Sequence, residues 1–207
     1  MFRAACGFLT AAVVVLAPAP VQAAKYKIKE PVIRAAVEYP AHQDFQNLVI
    51  AAWPCHTLER TLDLFDTPKL HEKGIMPVLL VIENRNPFPV WIQEEDILLL
   101  APDGSRQAPI PFTDVLLEIS LKKPLSNYST RKDLLLQKSV KKEMFQDFEH
   151  KAFDEKLVSP AGGSEYGVVF YRLPEGGDLA GYSLYLPTVL NFAEKEPLMF
   201  FEFELLP

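Results

Sequence analysis

Cysteine is scarce in this 207-residue chain, which has only Cys6 and Cys55. That excludes a small scaffold stapled by disulfides, so stability has to come from a packed core. Charge is also dispersed. Twenty-one basic residues stand against 27 acidic ones, net −6, with no block of five or six like charges. A nucleic-acid partner is therefore not expected, because phosphate backbones need a concentrated basic surface. No apolar run is long enough to span a bilayer: the longest, Phe8 to Ala17, is half of the roughly 20 residues required. The glycine-rich phosphate and dinucleotide loops, the Gly-x-Ser-x-Gly elbow and the His-Glu-x-x-His zinc helix are all missing, and with them the usual signatures of four enzyme classes.

What is present begins with a leader. Arg3 is the only charge before Lys25, the apolar stretch follows it, and Pro18 and Pro20 then break any helix ahead of Val21-Gln22-Ala23. This is the pattern of a secretory signal peptide over residues 1–23, cleaved after Ala23 or Ala24. Cys6 precedes the apolar stretch, which is the wrong order for a lipid-modified cysteine. The expected mature chain, 24–207, reads as a single domain carrying about −7 and one cysteine, exported to a periplasmic or extracellular space and without a transmembrane segment.

Beyond the leader, short strand signals are separated by proline and glycine, as in an antiparallel sandwich. Val32 to Tyr39 and Phe45 to Trp53 are the first candidates, each ended by a proline. Met76 to Glu83 is almost continuously apolar, which predicts a central strand covered on both faces, with Val81 and Ile82 on opposite sides. Asn84-Arg85-Asn86-Pro87 turns the chain and Phe88 to Gln93 returns. Ile97 to Ala101 and Arg106 to Ile110 read as a hairpin closed by Asp103-Gly104. Tyr166 to Leu173, Tyr182 to Leu186 and Leu198 to Leu205 complete the set, the last alternating Phe201, Phe203 and Leu205 with Glu202 and Glu204. Thr57 to Phe65 and Thr113 to Ile119 have helical character but are short.

From Thr130 to Leu157 there is no internal proline or glycine, and Thr130 with Asp133 has capping-box spacing. Val140, Met144, Phe145, Phe148 and Ala152 share one face at helical periodicity, while Lys142, Gln146, Glu149 and Asp154 lie elsewhere. The reading is a helical insertion around residues 131–157 in a mainly β, antiparallel chain. Its stripe of Val140, Met144, Phe145 and Phe148 either closes the core or contacts a partner, which export would make another envelope protein.

The segments Gly74-Ile75-Met76-Pro77-Val78-Leu79-Leu80-Val81-Ile82-Glu83-Asn84, Pro102-Asp103-Gly104, Asp114-Val115, Gly167-Val168-Val169-Phe170-Tyr171, Tyr182-Ser183-Leu184-Tyr185-Leu186 and Leu198-Met199-Phe200-Phe201-Glu202-Phe203 resemble an uncharacterised family of secreted bacterial envelope proteins. The resemblance covers most of residues 45 to 205. It implies an immunoglobulin-like β-sandwich and carries over no catalytic or binding residue.

The candidate chemistries are few. Cys55-His56 pairs a nucleophile with a base, but neighbours on an extended segment point to opposite sides, so a catalytic thiol would need His42, His71 or His150. His42, Cys55, His56 and His71 lack the short spacings that preorganise zinc. Glu94-Glu95-Asp96, with Asp63 and Asp66, offers carboxylates without the calcium-loop pattern. Phe88, Trp91, Tyr166, Phe170, Tyr171, Tyr182 and Tyr185 could line a sugar-binding face or fill the core. No catalytic residue, cofactor or metal site is therefore expected. The favoured function is a non-enzymatic protein-binding or scaffolding module. A carrier or sensor with a small-ligand or glycan pocket between helix and sheet is the alternative, and an enzyme without a recognisable motif comes third.

Overall fold

The computed structural model describes residues 25–123, 125–128, 131–153 and 156–205. The expected leader, Thr130 of the capping pair and Asp154 lie outside them. Among the described residues ten strands form two antiparallel sheets: β1 (His42–Phe45), β2 (Leu48–Pro54), β3 (Ile75–Asn84), β4 (Val90–Gln93), β5 (Leu98–Leu100), β6 (Arg106–Gln107), β7 (Lys156–Ser159), β8 (Ser164–Arg172), β9 (Ser183–Asn191) and β10 (Pro197–Glu204). The first sheet has the order β1-β2-β3-β8. In the second, β9 carries β10 on one edge and both β5 and β4 on the other, with β6 beyond β5 and β7 beyond β4. The described residues also form five α-helices: α1 (Leu58–Leu64), α2 (Lys69–Glu72), α3 (Phe112–Ser120), α4 (Lys132–Ser139) and α5 (Lys142–Lys151).

The first sheet has a core on each side. Leu48, Ile50, Met76, Val78, Leu80, Ile82 and Val169 pack toward Val90, Ile92, Leu184, Leu186, Phe201 and Phe203 of the second sheet. On its other face Val49, Ala51, Leu79, Val81, Val168 and Phe170 meet Leu64, Phe65, Leu70, Val115, Leu116, Ile119 and Phe148 of the helical region. The chain is thus layered as helices, sheet and sheet, and β3 is buried along nearly its whole length. Val81 and Ile82 fall into different cores, as the unbroken apolar run predicts. Pro77 is tolerated within this central strand because its carbonyl accepts the N–H of Cys55 at 2.8 Å just past the end of β2, so its missing donor falls where that ladder is finishing.

Several expectations are corrected. Val32 to Tyr39 is not a strand. It runs as coil into a short 3-10 turn, Ala36–Glu38, whose first N–H donates to Glu83 Oε1 at 2.7 Å, and Tyr39 packs on Trp53 with ring centroids 5.9 Å apart. Phe45 to Trp53 is divided by a two-residue turn, since Gln46 and Asn47 both have positive φ (49° and 60°), the geometry that matches strand twist in a tight hairpin. The chain after β3 does not pair with it; β4 crosses to the second sheet. The helical insertion is two helices. Val140 and Lys141 leave the helical region (ψ 131° and 140°), so α4 ends and α5 starts anew, and residues 156–159 form β7 against β4.

Candidate functional site

Helix α5 defines the site because its two faces do different work. Met144, Asp147, Phe148 and Lys151 recur at helical spacing and turn toward the sheet, while Gln146, Glu149 and His150 are exposed. Of the stripe named from sequence, Phe148 is completely buried, its ring 4.2 Å from Phe65 and stacked on Phe170 at 5.8 Å. Val140, Met144 and Phe145 are partly buried against the same core. The stripe therefore covers the sheet, and the outer face of the helix is the one left open.

Beneath the stripe lies a desolvated ion pair. Lys151 Nζ is 2.6 Å from Asp147 Oδ1, donates to the Leu64 carbonyl at 2.7 Å and stands 5.1 Å from the centre of the Phe65 ring. The Tyr26 hydroxyl donates to Asp147 Oδ2 at 2.5 Å. Burial, and then the hydrogen bond and charge of Asp147, raise the Tyr26 phenol pKa far above its ordinary value. The network pins α1, α5 and the N-terminal segment together; its members are too enclosed to receive a ligand.

The open face of α5 overlooks a cleft of about 740 Å³. Glu149 and His150 line one wall, Pro111, Phe112 and Thr113 at the start of α3 a second, Glu165 and Tyr166 of β8 a third, and Glu94, from the turn between β4 and β5, approaches from the other sheet. Phe153 closes the bottom. Its N–H donates to the Val168 carbonyl at 2.9 Å, and a side chain on Gly167 would place a Cβ 2.7 Å from its ring, so glycine is what lets this segment lie against β8. Phe112 lies 5.9 Å from Phe145, continuing the aromatic floor. The carboxylates of Glu149 and Glu165 against the one imidazole of His150 give the cleft a negative field. Tyr166 is held protonated above its ordinary range, first by burial and then by the charges of Glu30, Asp147 and Glu165. Carboxylates beside aromatic faces attract cations, through charge and through the ring quadrupole.

The other sequence candidates are not brought together. Cys55 is buried, its Sγ 3.8 Å from the Trp53 carbonyl, and desolvation pushes its thiol pKa up to about 12, the opposite of what a nucleophile needs. His56 instead faces Arg60, Nδ1 to Nη1 3.5 Å, and burial followed by that guanidinium lowers its pKa. His42 Nδ1 lies 2.7 Å from the Tyr39 carbonyl. Glu94-Glu95-Asp96 forms a 3-10 turn, and among the described residues no three His, Cys, Asp or Glu side chains are gathered as for a metal. Of the aromatic set, Phe170 and Tyr171 are core residues, Phe88 and Tyr182 pack against the inter-sheet core, and Trp91 and Tyr185 are half-buried beside Phe192 and Phe200. In the sequence Glu149 stands out only as lying off the apolar stripe, and nothing singles out Glu165. Their polarity was visible, but their proximity is a property of the topology.

No family model and no curated protein matches the chain. Among solved structures it is similar to the yjhA protein from Bacillus subtilis at 9% identity, over 72% of this chain and 78% of that one, with a TM-score of 0.38. A likeness at that level carries no argument about fold or function. No helix among the described residues is long and apolar enough to cross a membrane.

Proposed function

We propose that this is an exported, non-enzymatic binding module of immunoglobulin-like sandwich type, which grips a positively charged segment of another envelope protein in the cleft between α5 and β8. The observation that supports the reading is the cleft itself: about 740 Å³, open to solvent, with Glu94, Glu149 and Glu165 around the rings of Phe112 and Tyr166. A lysine or arginine side chain satisfies both features at once, its cationic head on the carboxylates and its stem on the rings. The net −6 of the chain adds long-range attraction for such a partner.

The test is titration calorimetry of the protein with an octalysine peptide at low and high salt, for wild type and for the Glu149→Gln/Glu165→Gln double variant. Binding that weakens with salt and is lost in the double variant, at unchanged melting temperature, is the expected result. Equal binding by the double variant, or none by wild type at low salt, overturns the reading. The small-ligand carrier uses the same cleft: there, spermidine would bind as tightly as the peptide, and the peptide-partner reading would fall.

A further inference from the structure

A second cavity, of about 440 Å³, lies on the opposite flank of α3 from the cleft, lined by Lys73, Ile110, Asp114, Glu118, Lys122, Lys123 and Arg172. In a chain with more acids than bases, its charge is reversed. Both carboxylates are already engaged. Arg172 Nη1 and Nη2 hold Glu118 at 2.8 and 2.6 Å, and Lys132, from outside the lining, holds Asp114 with both oxygens 2.7 Å from its Nζ. The Arg172 pair, and then the nearby charge of Lys73, keep the Glu118 carboxyl below its ordinary pKa, so it stays ionised and committed. Lys73, Lys122 and Lys123 have no carboxylate within 4.0 Å among the described residues. Helix capping does not account for them, because Lys69 Nζ already donates to the Ile119 carbonyl at the end of α3, at 3.0 Å.

We propose that this cavity binds a compact, multiply charged phosphate group. Three lysines and an arginine line a concave space of ligand size against two carboxylates, each of which is already held by another base. The only guanidinium has its two terminal nitrogens occupied, so no free fork remains to select a planar monocarboxylate. Ammoniums act as point charges, and an anion carrying several charges on a small volume meets all three at once. A phosphate ester in solution and a lipid headgroup both present that chemistry.

The experiment uses the full chain and two probes: inorganic pyrophosphate by calorimetry, and sedimentation with vesicles containing phosphatidic acid, a phosphate monoester, against phosphatidylcholine ones. One-to-one pyrophosphate binding that falls about tenfold or more in Lys122→Ala/Lys123→Ala, the combined worth of two exposed ion pairs, and that is unchanged in Lys138→Ala on α4, supports the site with a soluble source. Binding to phosphatidic acid vesicles alone, with the same dependence on the two lysines, supports the site with a lipid source. No binding of either probe, or equal binding by the double variant, overturns the proposal. Both lysines are exposed, so the variant is expected to fold, and its melting temperature checks this. Glu149→Gln/Glu165→Gln leaves pyrophosphate binding intact if the two sites are separate, as proposed here.

Discussion

Removing Asp147 while leaving Lys151 in place is the sharpest perturbation of the helical layer. In the native protein the Lys151 and Asp147 side chains are 2% and 0% exposed and 2.6 Å apart. Asp147→Ala strands an ammonium whose remaining neighbours are one carbonyl and one aromatic face, and it takes the acceptor from Tyr26. Breaking one partner of a buried pair costs about 3–5 kcal/mol, because the other charge keeps its desolvation penalty. At roughly 2–4 °C per kcal/mol for a domain of this size, the melting temperature should fall by about 6–20 °C. Replacing the whole network, Tyr26→Phe with Asp147→Leu and Lys151→Met, removes the charges along with their partners and should return stability to within about 1 kcal/mol of wild type or above it. Urea and thermal unfolding, followed by far-ultraviolet circular dichroism, measure both variants. An Asp147→Ala cost under about 1 kcal/mol, or a triple variant worse than the single, would mean that the ammonium reaches water, and the reasoning would fail.

Phe148→Ala deletes a ring packed on Phe65 and Phe170 and should cost about 3–5 kcal/mol, whereas Phe145→Ala, at a partly buried position, should cost clearly less in the same urea series. Gly167→Ala drives a Cβ to 2.7 Å from the Phe153 ring and 3.0 Å from its Cα, so thermal melts should show a loss of about 1–3 kcal/mol. Cys55, with its thiol held near 12, should resist iodoacetamide at pH 8 until urea unfolds the chain, as read by mass spectrometry. Tyr26, Tyr166 and Tyr171 all have raised folded-state values, so the folded protein retains phenolic protons that the unfolded chain releases. Their stabilisation is complete below the unfolded value of about 10 and declines as pH climbs past it, which urea midpoints between pH 8 and 11 should follow.

What could be read from residue order is what local patterning controls. The apolar run of β3, the alternation of Phe201, Phe203 and Leu205 with two glutamates, and the Asp103-Gly104 turn, where Gly104 has φ +83°, each carry their own geometry. The hairpin at Gln46-Asn47 was illegible because it lacks glycine and proline. Val32 to Tyr39 misleads as a strand because a short run of strand-forming residues ended by a proline does not itself supply a neighbour to pair with. Helical periodicity ran on through Val140 and Lys141, hiding the break between α4 and α5. The cleft depends on Glu94, Glu149 and Glu165, which come from a turn, a helix and a strand. No spacing rule relates them, because their meeting follows from how the helical layer lies against one sheet and the edge of the other.

The first sheet closes on itself late in the chain. β3 is matched with β8 from Ile75 opposite Arg172 to Glu83 opposite Ser164, so everything from residue 85 to residue 163, including four strands of the other sheet and three helices, is enclosed within that pairing. The strand that both cores share therefore cannot be completed by local zippering from its own turn. Its last partner has to be recruited across a long loop, and the entropy of closing that loop is met before either core repays it. Refolding should accordingly be slow relative to a hairpin-built sandwich of equal size. Helices α3, α4 and α5, which follow one another in the chain and pack on one another, are the part able to gather first and shorten the distance that β8 must travel.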